Sequence, residues 1–120
     1  MEWIKIVIQL VIAASIINVW ILRFGKPTSW RGGSANSMKE EFEVYGLPEW
    51  FMKLIGFFKL TLAILLIAGI LLPVLTKPAA MGMAVLMSGA ISMHIKVKDS
   101  LVKSFPALSL LILSLFLIFL

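Results

Sequence analysis

Residues Ser88–Leu108 read SGAISMHIKVKDSLVKSFPAL. An apolar segment runs into the chain's one histidine, His94, reverses across Ile95–Asp99 (IKVKD), and opens into a second apolar segment. The reversal gathers His94, Lys96, Lys98, Asp99 and Lys103 at one end of two membrane-length elements. Polar chemistry beside lipid is therefore expected at this corner.

Working outward, 120 residues give room for one domain, 1–120, and a chain that is 61% hydrophobic and only 14% charged belongs in a bilayer. There is no cysteine, so disulfides, thiol redox chemistry and thiolate metal sites are excluded from the chain itself. The net charge of +5 comes from Lys and Arg placed around the ends of apolar segments. That placement suits phospholipid headgroups, so membrane lipid rather than nucleic acid is the expected partner.

Four spans follow. Trp3–Leu22 has about the 20 apolar residues that cross a bilayer as a helix. Ala13-Ala14-Ser15 would suit a signal-peptide cleavage site, but the apolar run continues past it, which favours a retained span. Trp50–Leu72 is the second span, closed by Pro73. Thr76 can cap the third, which has Pro78 in its first turn and runs over 78–96. The fourth covers 101–120, with Pro106 near its start. Between the first two, Ser37-x-x-Glu40 is a capping box, and Met38, Phe42 and Tyr45 share one face of the helix it starts. This short helix is expected to lie in the membrane interface, an ordered loop being the alternative. The expected fold is all-α: an integral membrane four-helix antiparallel bundle with one interfacial helix.

Arg23, Lys26, Arg31, Lys39, Lys53, Lys96, Lys98 and Lys103 mark one side of the membrane, and Lys5 and Lys77 the other. By the positive-inside rule the first set is cytoplasmic, so both termini are expected outside, most simply at the cell membrane. Trp20, Trp30 and Trp50 near the inner boundary and Trp3 near the outer one fit two aromatic belts.

Lys59 stands out within the second span, where an uncompensated cation costs at least about 2.5 kcal/mol. Gly56, Lys59 and Ala63 fall within about 60° around the helix, which turns the lysine toward a close-packing face. A snorkelling side chain that only reaches the interface is the simpler reading. Asn18, Ser88, Ser92 and His94 lie at similar or shallower depths, so a polar pocket open to the cytoplasmic loops is expected, with Lys59, His94 and Asp99 at its centre. Serines bonded to their own i−4 carbonyls would empty most of that pocket. Gly82 and Gly89, seven apart, mark a tight helix contact, while Met83, Met87, Ala90 and His94 line either a core or a lipophilic site. Asp99 can pair with Lys103 at i+4, reach His94 across the turn, or serve as counter-charge to Lys59. A lone histidine without ligand-spaced partners gives no metal site.

Tyr45-Gly46-Leu47-Pro48, Leu54-Ile55-Gly56, Pro73 with Pro78, and Gly89-Ala90 followed by His94 together resemble the DoxX-like family of small four-helix membrane proteins, over nearly the whole chain. The stretch HIKVKDSLVKSFPAL also resembles the corresponding corner of the family's receptor-chaperone, NACHO-like branch, at His94, Val97, Asp99, Leu101, Lys103, Ala107 and Leu108. The resemblance implies an architecture and several settings: thiosulfate:quinone oxidation, redox complexes and receptor assembly. Where the family usually carries a glutamate, this chain has Lys59, which undercuts any role needing a buried acid there. Two functions are expected. The first is a non-catalytic, chaperone-like helper that binds another membrane protein or its own copy. The alternative is a redox-complex subunit, or a binding protein holding a quinone or other lipid-like ligand near Lys59 and His94. No catalytic residue and no intrinsic cofactor is assigned.

Overall fold

The computed structural model describes residues 2–120, and every regular element among them is helical. Helix α1, Glu2–Ile17, widens without a break into a π-helical turn over Asn18–Leu22. A connecting segment then leads to α2, Met38–Tyr45, which is followed by α3, Glu49–Ala68; α4, Thr76–Lys96; and α5, Phe105–Phe119. Short 3₁₀ turns at Pro73–Leu75 and Leu101–Ser104 feed α4 and α5. Among the described residues four stretches are long and apolar enough to cross a membrane: Glu2–Leu22, Glu49–Ala68, Pro73–Lys96 and Leu101–Phe119.

The ends depart from the sequence expectation for local reasons. Helix α3 stops at Ala68 rather than Leu72, because Pro73 drives Leu72 out of the helical region, to φ −122° and ψ 81°. Thr76 does not cap α4. It is the helix's first residue, and its hydroxyl donates to the Gly69 carbonyl at 3.3 Å. Pro106 sits in the first turn of α5, where its missing N–H breaks no helical bond, so it kinks nothing. The capping box behaves as its spacing requires: Ser37 Oγ accepts from the Glu40 amide at 3.1 Å, and Met38, Phe42 and Tyr45 are all buried. Gly46, at φ 77°, ends α2 in the left-handed conformation that glycine adopts without steric cost.

Helix α1 packs on α3, α3 on α4 and α4 on α5, and a lighter contact between α1 and α5 closes the bundle. Ile12, Ala63, Leu66, Ala80, Met83 and Leu117 meet in one buried cluster. Ala63 thus serves the packing face expected of it. Gly82 abuts the Leu62 side chain, where an added Cβ would come within 3.0 Å. Large apolar side chains such as Phe57, Val85, Leu101 and Phe119 are exposed all around this core, a surface that suits hydrocarbon rather than water.

One polar residue joins three elements at the end of the bundle near Gly69. Buried Gln9 donates from Nε2 to the Leu66 carbonyl at 2.9 Å and to Thr76 Oγ1 at 3.1 Å. Replacing Gln9 by Leu should lower stability by about 1 kcal/mol, the scale of interhelical hydrogen bonds in bundles of this kind. Thermal unfolding in detergent measures it, and an unchanged melting temperature would mean that the bond adds nothing to the bundle.

Candidate functional site

At the other end of the bundle lies a cavity of about 950 Å³. Its walls come from the π turn of α1, the segment after it, α2, and the facing sides of α3, α4 and α5. Of the polar residues singled out in the sequence, Lys59, His94 and Asn18 line it, whereas Ser88, Ser92 and Asp99 do not. Ser88 Oγ donates to the Ala84 carbonyl and Ser92 Oγ to the Ser88 carbonyl, both at 2.9 Å, so these hydroxyls are satisfied within α4.

Gly89 differs from its expected role. A Cβ built there meets nothing within 4 Å, and the residue borders the cavity instead of touching a neighbouring helix. Gly56 is a glycine of close approach to a ring: a Cβ there would lie 2.6 Å from Trp20, as one at Gly32 would lie 2.5 Å from Tyr45. Trp20 is correspondingly not a belt residue. It is 7% exposed, against 67% for Trp50, and packs onto Gly56 and between Phe24 and Phe42. The π turn that carries it is a one-turn widening, of a kind that costs regular hydrogen bonding and recurs at functional positions.

The Lys59 ammonium lies 5.3 Å from the centroid of the Trp20 ring, within cation–π range. Among the described residues it makes no ion pair and no hydrogen bond. Asp99 is not its counter-charge. That carboxylate turns to His94, with Oδ2 2.7 Å from Nδ1, while Oδ1 accepts from the Gly33 amide at 3.0 Å. The corner is shaped for this: Lys98 takes a left-handed φ of 59° and the Asp99 amide returns to the His94 carbonyl at 3.0 Å. Burial alone would raise the Asp99 carboxyl, but the bonds from His94 and Gly33 and the charges of His94 and Lys103 hold it below the usual carboxylate range.

Lys103 does not pair with Asp99 either. Its ammonium donates to the Gly33 carbonyl and, at 2.8 Å, to that of Arg31, while Lys96 donates to the Tyr45 carbonyl at 2.8 Å. The α4–α5 corner therefore straps the segment between α1 and α2 across the cavity.

Arg31 completes the roof and was not singled out in the sequence. It is 3% exposed, donates to the carbonyls of Arg23, Phe24 and Lys26, and pairs with Glu41 at 3.0 Å. Glu41 also accepts from the Tyr45 hydroxyl at 2.7 Å. Burial, then the Glu41 charge and hydrogen bond, push the Tyr45 phenol well above its ordinary range, so it stays a donor. The signal was present in the sequence: Glu41 lies three residues after Met38 and four before Tyr45, on the buried face of α2.

Four apolar helices of spanning length around a shared core define an integral membrane protein. Residues 28–117 match the DoxX-like family, three quarters of the chain, and the chain belongs to that family. Neither a curated protein nor a solved structure matches it.

Because its value is lowered on folding, the Asp99 carboxylate contributes stability that is fully present above the unfolded value near about 4 and lost as pH falls through the folded value. Asp99→Asn should cost about 2 kcal/mol at neutral pH. Melting curves of parent and variant should converge on acidification. A gap that persists at low pH would show that the charge does not hold the corner.

Proposed function

We propose that this protein binds one lipophilic ligand, a quinone or a lipid, in the cavity of its charged end. The cavity carries the proposal. At about 950 Å³ it falls within the roughly 300–1,000 Å³ of ordinary ligand sites. Its body is apolar, through Ile16, Ile55, Leu86, Met87, Met93 and Leu110, and its few polar groups converge from separate elements. Lys59 and His94 supply nitrogen atoms that suit a carbonyl or acidic head, and no catalytic step is assigned to them. In this reading the spans run antiparallel, α2 lies along the membrane interface, and the cavity end faces the cytoplasm of a cell with both chain ends outside. The contacts of Gln9 with Leu66 and of Trp20 with Gly56 support the opposed course of α1 and α3, and the Lys and Arg asymmetry supports the orientation.

The second reading is a helper that assists assembly of another membrane protein or pairs with its own copy. It draws on the outer face of α4, where Met81, Val85, Ser88 and Ser92 are exposed together. With a quinone bound, the same chain would serve as a subunit of a redox complex.

Gly89 gives the direct test, since it borders the cavity and a Cβ added there meets nothing within 4 Å. In phosphatidylcholine nanodiscs, a short-chain quinone should quench tryptophan emission saturably, because Trp20 and Trp30 line the cavity. Gly89→Leu should abolish the saturable part while leaving stability within about 0.5 kcal/mol of the parent. Equal quenching in both proteins would remove the cavity from the function. A reporter active only in the cytoplasm, fused after Leu120, should be silent; activity there would reverse the orientation.

A further inference from the structure

The unpartnered ammonium of Lys59 and the charge balance of the cavity wall point to a specific occupant: we infer that the ligand is a single-chain lipid with an anionic head, its carboxylate or equivalent held by Lys59. The inference rests on the cavity being a ligand site, as proposed above, and adds the ligand's charge and shape.

Arg23, Arg31, Lys59 and Lys103 line the cavity, with Glu41 the one carboxylate among the lining residues. Glu41 is already engaged by Arg31 and by Tyr45. Asp99 stands behind His94 and is held by it and by Gly33. Arg31 and Lys103 in turn direct their donors to Glu41 and to backbone carbonyls of the roof, and Arg23 Nε reaches Asn18 Oδ1 at 3.3 Å. Lys59 is left, among the described residues, with no hydrogen bond or ion pair, faced by the Trp20 ring and reached only at longer range by the Glu41 charge. A hydrocarbon environment makes such a charge costly until an anion joins it. A neutral head would meet the ammonium with a hydrogen bond alone, while an anion adds charge neutralisation in a medium of low dielectric.

The chain count follows from size and lining. The cavity has the volume of one drug-sized ligand, and Ile55, Leu86, Met87, Met93 and Leu110 form a continuous apolar wall beside the head position. Flexible methionines suit a single acyl chain of variable length. The adjoining mouth, with Arg23, Thr28 and Ser29, is polar and offers water or headgroup contact at the membrane surface.

The test compares tritiated hexadecanoate with hexadecanol of equal chain length on the full chain in phosphatidylcholine nanodiscs, at about pH 8, where the carboxylate is ionised. The acid should bind at least about tenfold more tightly than the alcohol. Lys59→Met should erase that preference while alcohol binding stays, and Lys59→Arg should restore most of it. Equal affinity of the parent for acid and alcohol would overturn the anionic head and leave the cavity reading standing. Saturable binding of neither lipid would overturn both. A preference for the acid that survives in Lys59→Met would take the head away from Lys59.

Discussion

An ammonium ten residues into an apolar helix is the constraint around which one half of this bundle is arranged. At about 1.5 Å per residue, Lys59 stands some 15 Å from the start of α3, too deep for water to solvate it freely from the helix end. The sequence meets this constraint in three places. Gly56 withdraws its side chain so that an aromatic ring can approach, the π turn of α1 carries Trp20 into that space, and the ring presents its face to the cation. Replacing any of these would leave the ammonium facing hydrocarbon alone. Trp20 also lies four residues after buried Ile16, so it continues the inward stripe of α1 into the widened turn.

The roof over that site solves a different problem, that of an irregular backbone at the edge of an apolar environment. Carbonyls of Lys26, Arg31, Gly33 and Tyr45 are each met by a cationic side chain, and those of Arg23 and Phe24, which also accept from the Lys26 and Met38 amides, are met by Arg31 as well. Those three side chains, Arg31, Lys96 and Lys103, come from positions that positive-inside arithmetic treats only as surface charge. Asp99 works in the opposite sense, accepting from the Gly33 amide and fixing the His94 ring. Gly33 can offer that amide because its φ of 55° is open to glycine. The corner of α4 and α5 is thus a clamp on a loop more than sixty residues earlier in the chain.

How much of this is legible in the sequence depends on whether periodicity carries the signal. The spans, the capping box and the buried face of α2 are repeating patterns, and the sequence places them within a few residues. It runs α3 four residues too far, to Leu72, because the apolar run continues through Ile70, Leu71 and Leu72 and hides the turn that Pro73 imposes; the helix closes where the Gly69 amide bonds back to the Leu65 carbonyl. Trp20 is misassigned to a belt because an indole near a helix end looks the same whether it faces headgroups or a glycine on the next helix. Gly82 and Gly89 share a face by arithmetic, yet of the two only Gly82 meets a neighbour, Leu62, while Gly89 borders the cavity with nothing within 4 Å of an added Cβ. The pairing of Asp99 with His94 is one of several reaches the sequence allows, and only the left-handed turn at Lys98 selects it.

The two halves of the bundle therefore differ in what holds them together. Toward Gly69 the helices meet through tightly packed apolar side chains, with Gln9 joining three elements. Toward the corner, apolar packing continues through Trp20, Met38, Phe42 and Met52 and is joined by a frame of charged hydrogen bonds around the cavity. Such a frame resists collapse, because closing the cavity would strip carbonyls of their donors. A ligand that fills the cavity and binds only the folded chain would stabilise that half in proportion to its occupancy. Under the proposed reading, stability at the corner and occupancy of the cavity would be one linked equilibrium, with Lys59 as the group whose cost in hydrocarbon binding would relieve.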